Sequence, residues 1–188
     1  MAGFERPREV ARLLSGFGRP WSIAGGWAID LFLGRETREH KDVEVAIGRE
    51  DQARLREHLP GWSFDKVAAG SLREWGVGER LDPPVHEIHA RSRAAFPLEV
   101  LLDEGTPTEW RFRRNPAVAR PLDCVRLERE GISFLCPEIV LLYKAKAPRE
   151  FDETDFENAL PALDRERRDW LRESLRVCHP GHPWLMRL

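Results

Sequence analysis

The side chains best suited to chemistry lie between residues 23 and 46. Gly25-Gly26 sits between an apolar run ending at Ala24 and a stretch with helical character, so bare backbone and a helix start can approach a phosphate closely. Asp42 and Glu44 follow on an alternating charged–apolar segment. Side chains two apart on a strand face the same way, so the two acids form a pair. Such a pair is costly unless a cation lies between its members, and hard oxygen ligands beside a phosphate suit magnesium. Taken singly, two acids at a strand edge are an ordinary solvated face and a Gly-Gly turn is commonplace. Their order, turn first and acidic strand second, is what gives the combination meaning.

These residues need a scaffold, and the rest of the chain supplies its pattern. A first helix is expected from Pro7 to about Phe17, with Val10, Leu13 and Leu14 as its apolar stripe. Trp21 to Ala24 reads as a short strand. A second helix carries Ala28, Ile29, Leu31, Phe32 and Leu33 to Gly34. Asp42 to Ile47 reads as a strand, and Glu50 to Leu59 as a helix stopped by Pro60-Gly61. Further strands are expected at Trp62 to Phe64, Val85 to Ala90, Leu98 to Leu102 and Trp110 to Arg113, with an irregular loop from Gly70 to Pro84. Cys124 to Leu135 reads as a hairpin turning at Glu130-Gly131. Pro137 opens a helix to Lys146, and two more run from about Glu153 to Leu160 and Arg165 to Val177, with Asp152 and Asp164 as N-caps. The outcome is an α+β protein: a mixed β-sheet flanked by helices in residues 1–136, and a short C-terminal helical segment in residues 137–188 packed on it.

The residues resemble those of the nucleotidyltransferase superfamily, whose signature is a Gly-Gly or Gly-Ser turn followed by Asp-x-Glu/Asp between apolar residues. Gly25-Gly26-Trp27-Ala28-Ile29-Asp30, Leu33-Gly34-Arg35 and Thr37-Arg38-x-His40-x-Asp42 look more narrowly like the aminoglycoside 2″-adenylyltransferase and lincosamide nucleotidyltransferase group. The close match covers about residues 21–47. The resemblance implies that Asp42 and Glu44 ligate Mg²⁺ and position an NTP, ATP in the first instance, while Gly25 and Gly26 cradle its phosphates. A substrate hydroxyl then attacks the α-phosphate and pyrophosphate leaves. Where the antibiotic-modifying enzymes often carry Asp-x-Asp, this chain has Asp42-Val-Glu44, whose extra methylene moves the second ligand outward.

A third carboxylate, as metal ligand or base, is expected by the same resemblance. Glu99, on a strand whose Leu98, Val100 and Leu102 face the other way, is the first choice for both roles, and Asp103 on the same face is the reserve. Lys144 resembles the family's later lysine and either binds phosphate or snorkels from an apolar helix. Arg38 and His40 flank the acidic strand. Arg38 is a candidate phosphate contact, and His40 either touches phosphate or orders the loop through a hydrogen bond. Asp30, inside an apolar helix, reads as a buried cap or an arginine partner. His86 and His89 lie three apart on a strand, on opposite faces, a poor spacing for a shared zinc ion. His179 and His182 read as incidental to a turn that docks Trp184. Trp75 and Trp110 either line the cleft or pack in the core, and Glu74 and Glu79 of the Gly70–Pro84 loop are candidate contacts for a cationic acceptor.

Composition bounds the partners. The chain has 188 residues, 41% hydrophobic and 33% charged, and a net charge of -2. That balance suits a globular protein and argues against bulk attraction to nucleic acid. No apolar run reaches the length of a membrane span and no apolar leader core opens the chain. Cys124, Cys136 and Cys178 lack zinc spacing, which points to reduced thiols in the cytoplasm. The expected partners are a nucleotide and a small hydroxylated acceptor, aminoglycoside-like by resemblance. Some small relatives pair to complete the cleft, so a homodimer stands beside a monomer. Two other readings remain: a nucleotide-binding protein without turnover, and a partner-binding module on the same fold.

Overall fold

The computed structural model describes residues 3–188. Helix α1 (Glu5–Leu13) leads to β1 (Trp21–Ile23), α2 (Gly25–Leu33), β2 (Val43–Gly48) and α3 (Gln52–His58). Strands β3 (Ser63–Ala68), β4 (Ser71–Glu74), β5 (Glu87–Arg91) and β6 (Leu98–Gly105) follow, then β7 (Glu109–Arg111), β8 (Ala119–Pro121), β9 (Arg126–Arg129) and β10 (Ile132–Leu135). Helices α4 (Pro137–Lys144), α5 (Glu150–Ala159) and α6 (Arg165–Cys178) complete it. The strands form one mixed sheet in the order β4-β3-β5-β6-β2-β1-β10-β9, with β7 and β8 continuing from β6. β2 runs parallel to β6 and β1 parallel to β10, while the other pairs are antiparallel. This is the α+β architecture expected.

Alternation places the site. Val43, Val45 and Ile47 of β2, and Leu98, Val100 and Leu102 of β6, are almost fully buried on one face of the sheet. The intervening residues therefore share the other face. The register sets Glu44 opposite Glu99 and Glu99 opposite His89, so three adjacent strands carry one polar row. Helix α4 begins with Pro137 at its first position and buries Ile139 to Leu142 between α2, α5 and α6. It is apolar nearly all round because other elements surround it.

Several boundaries differ from expectation. α1 starts at Glu5, with Pro7 third in its first turn, and stops at Leu13; Leu14 and Phe17 still enter the core from the following turns. Residues 49–51 form a tight 3₁₀ turn before α3. Asp42 precedes β2 instead of opening it. Helix α5 begins at Glu150, and Asp152 is not its N-cap: it sits in the first turn, accepting a hydrogen bond from the Arg149 backbone N–H at 3.0 Å. Asp164 does cap α6, accepting from the Arg167 N–H at 2.9 Å. The β9–β10 hairpin turns at Glu130-Gly131, both with positive φ (52° and 75°).

The Gly70–Pro84 segment is irregular over residues 75–84, as expected, but its first part differs. It contains β4, and Trp75 is a core residue, packed edge-on to Phe64 at 5.8 Å and under the Arg56 guanidinium at 4.2 Å. Its indole N–H donates to the Glu79 carbonyl at 2.8 Å. Trp75 therefore does not line a cleft. Glu79 is engaged by Lys66 and by the Gly76 N–H, and Glu74 lies on the edge strand. At about 4.8 Å per strand, β4 lies roughly 19 Å from β2. Trp110 is also buried, at 1% exposure. Trp184 docks as expected, stacking on Phe156 at 4.2 Å. Among the described residues no helix is long and apolar enough to cross a membrane.

Candidate active site

The turn from β1 into α2 brings the start of a helix against β2. Gly25 has φ +58°, and a Cβ there would fall 1.4 Å from Glu44 Oε2. Only glycine fits this left-handed, crowded position. A Cβ on Gly26 would meet Arg38 at 2.3 Å and the His40 ring at 2.5 Å. Bare backbone is thus required at both positions by the protein's own side chains. Glu44 lies against the positive end of the α2 dipole, a favourable place for a carboxylate.

The loop between α2 and β2 is ordered by Asp30. This fully buried carboxylate accepts from the Thr37 backbone N–H (3.1 Å), the Thr37 hydroxyl (2.5 Å) and His40 Nε2 (2.6 Å). Its partners are a histidine and a threonine, so of the two readings from sequence, a buried cap or an arginine partner, the arginine one does not hold. His40 has the ordering role. Trp27 packs against the His40 ring, centroids 4.4 Å apart and planes tilted by 34°, and donates from its indole to the Asp42 carbonyl at 3.1 Å, which fixes the backbone at Asp42.

Asp42, Glu44 and Glu99 line one cleft of about 460 Å³, together with Arg38, Lys144, Arg149 and Phe151. None of the three acids forms an ion pair with lysine or arginine among the described residues. Burial raises the Glu44 pKa, with Asp42 and Glu87 adding to the effect against Lys144 and Arg149. Glu99 is pushed up to about 7 by burial and by the charges of Asp42, Glu44 and Glu87. The donor atoms of Asp42, Glu44 and Glu99 do not all approach within 4.8 Å of one another, in keeping with the mutual repulsion of like charges. The donor set nonetheless fits a hard divalent cation: three oxygen ligands, shared access and no cation of the protein's own between them.

A second cleft of about 290 Å³ adjoins the first through Glu44, Lys144 and Arg149. Its floor is apolar, from Ala46, Leu101, Leu135, Val140 and Tyr143, and its rim carries Arg113, Arg114 and Lys146. Gly25 and Asp103 also line it. Asp103 is 8% exposed, and burial pushes it up to about 6. Its Oδ2 has no hydrogen-bond partner. It stands four residues along β6 from Glu99, in the second cleft, and does not join the Asp42–Glu44 group.

Arg38 and Lys144 are held by acids from α5. Arg38 forms a two-pronged pair with Asp155 at 2.9 and 3.0 Å, and Lys144 bonds Asp152 and Asp155. Both line the first cleft, so they reach it as parts of a buried network. The arginines of the second cleft and Arg149 were not singled out from sequence. In a chain this rich in arginine nothing in their spacing separates them from surface charge. His86 and His89 are not joined: His89 bonds Glu87, two residues away on its own face, at 2.7 Å, a pair that no motif spacing in the sequence marks.

The family model described as aminoglycoside-2″-adenylyltransferase matches residues 8–71. Curated 2″-aminoglycoside nucleotidyltransferases of Escherichia coli and Klebsiella pneumoniae are 40% identical over 60 residues, 30% of this chain. The match spans about a third (34%) of the length of these relatives. Among solved structures, ANT(2″)-Ia in complex with adenylyl-2″-tobramycin superposes with a TM-score of 0.61 at 17% identity, covering 90% of this chain and 94% of that one. The solution structure of ANT(2″)-Ia gives 0.60 at 19%, covering 90% and 89%. Lincomycin-bound LnuA, a lincosamide antibiotic adenylyltransferase, gives 0.58 at 16%, covering 82% and 94%. The chain has the fold of these nucleotidyltransferases, and its resemblance in sequence to the aminoglycoside group lies in the segment that builds the Gly25–Glu44 site.

Proposed function

We propose that the protein is a Mg²⁺-dependent nucleotidyltransferase that moves a nucleoside monophosphate, from ATP in the first instance, to a hydroxyl of a small cationic acceptor of the aminoglycoside kind. The observation that carries this reading is that Asp42, Glu44 and Glu99, without a lysine or arginine ion pair among the described residues, line one cleft beside the start of α2. Asp42, Glu44 and Glu99 would hold the magnesium ion, which when bound supplies neutralisation of charge on the transferring phosphoryl group.

The chain's own residues do the rest. Arg149 and Lys144, shared by both clefts, with Arg38 in the first and Arg113, Arg114 and Lys146 on the rim of the second, supply positive charge for phosphates. The apolar floor of the second cleft suits a nucleobase. Glu99, whose pKa burial and its acidic neighbours push up to about 7 while no cation is bound, is the carboxylate that would accept the acceptor hydroxyl's proton when it is not itself ligating the metal. Crowded acids on this face of the sheet favour a cationic acceptor. The free thiols of Cys124, Cys136 and Cys178 suit a reducing cytoplasm.

The test is thermal unfolding with each NTP, with and without Mg²⁺, for wild type and Asp42→Asn/Glu44→Gln. A ligand at about 100 times its Kd stabilises by about 2.7 kcal/mol, a rise of roughly 5–10 °C in Tm for a chain of this size. Wild type should show it with Mg²⁺ and the double variant should not. Equal responses in the two proteins, or none, would sink the proposal. Pyrophosphate release with a panel of aminoglycosides then identifies the acceptor. A nucleotide-binding protein without turnover is the alternative favoured by Glu44, whose carboxylate covers the Gly25 backbone; labelled ATP retained but unconverted would select it.

A further inference from the structure

We propose that Glu87, His89 and Glu99 form a cation site of their own, for a divalent transition metal such as Mn²⁺, Co²⁺ or Zn²⁺, on the flank of the Asp42–Glu44 site. The sheet alone brings the three side chains together, independently of the transfer reaction. β5 lies antiparallel on β6 with His89 opposite Glu99, and Glu87 precedes His89 by two residues and so shares its face. One donor atom from each of the three side chains lies within 4.8 Å of the other two. Among the described residues no other three histidine, cysteine, aspartate or glutamate side chains converge so closely.

The charges around the trio leave room for a cation. Glu87 pairs only with His89, and Glu99 has no ion pair among the described residues. Arg91, next on the same face of β5, is taken by Asp65. Lys144 is taken by Asp152 and Asp155. The Glu87 and His89 side chains are 34% and 22% exposed, so an ion can enter from solvent and keep water in its open positions. One imidazole nitrogen with two carboxylates gives three protein ligands, a set that favours borderline metals over magnesium, which prefers oxygen alone. Glu99, shared between this site and the Asp42–Glu44 pair, would couple occupancy of the two.

Titration with Co²⁺, followed by visible absorption and calorimetry, tests the site directly. Wild type should bind Co²⁺ with a ligand-field band. His89→Gln and Glu87→Gln should each weaken that binding at least about tenfold, and Asp42→Asn/Glu44→Gln should retain it. The last variant separates this site from the nucleotide site, since it removes one and spares the other. A readout without substitution is Mn²⁺ broadening of imidazole NMR resonances, in which His89 should respond before the other histidines. Co²⁺ binding unchanged in folded His89→Gln, or broadening that spares His89, would overturn the proposal. So would binding of spermidine, with no Co²⁺ binding, that depends on Glu87 and Glu99; that result would assign the trio to a protonated amine.

Discussion

Two charge-rich regions meet at Lys144, and they treat charge in opposite ways. On the helical side, acids and bases are matched: Asp155 with Arg38 and Lys144, Asp152 with Lys144 and Arg149, and the buried Glu138 with Arg120. On the sheet side Asp42, Glu44, Glu99 and Glu87 crowd together, and among the described residues His89 is their only ion-pair partner. Matched charges hold α5 and α4 against the loop before β2. Unmatched charges cost stability and persist where something from outside completes them. The contrast separates what builds the cleft from what the cleft is for.

The sharpest way to break the comparison is to remove an acid from each side. Asp155→Ala leaves Arg38 and Lys144 short of a partner and should cost about 3–5 kcal/mol in urea unfolding. Asp42→Asn/Glu44→Gln, by relieving repulsion, should leave the fold as stable as wild type or more so. Equal losses in the two proteins would erase the distinction.

Asp103 belongs to neither region, being buried without a matched base. Its folded-state pKa of about 6 lies above the ordinary value of 3.8, so the folded state binds the proton more tightly. Its contribution is therefore complete below pH ~4 and declines as pH rises to about 6, by an order of 2–3 kcal/mol. Asp103→Asn should raise stability at pH 7.5 and flatten the fall between pH 4 and 6.5, measured by chemical denaturation across pH. A steeper fall in the variant would refute the assignment.

Gly25→Ala gives the smallest loss and the most local one. Left-handed backbone costs alanine roughly 1–2 kcal/mol, a few degrees of Tm, and the new methyl displaces Glu44. Adding Glu44→Ala removes the overlap, so the double variant should lose less than the sum of the singles. Strict additivity would show that Gly25 does not exist to make room for Glu44.

Much of this was legible in the chain. The α2 helix, the β2 and β6 alternation, the β9–β10 hairpin and the docking of Trp184 follow from spacing, because period and turn chemistry are local. In the Gly70–Pro84 segment the glycines and prolines announce the irregular stretch over residues 75–84, but not the β4 strand or the burial of Trp75 against Phe64 and Arg56, which are long-range contacts. Asp152 was misplaced by one turn, since a capping role depends on which backbone N–H it meets.

The sequence by itself determined that a Gly-Gly turn precedes an acidic strand, that Glu99 faces away from the core of its own strand, and that the protein is a mixed α+β chain. Only the tertiary structure decided that Glu44, Glu99 and His89 share one row, that Arg38 and Lys144 answer to Asp155, and that Asp103 stands apart. The physical reason is that a residue's face follows from local periodicity, whereas its neighbours across strands follow from register. Register is set by the packing of the whole sheet.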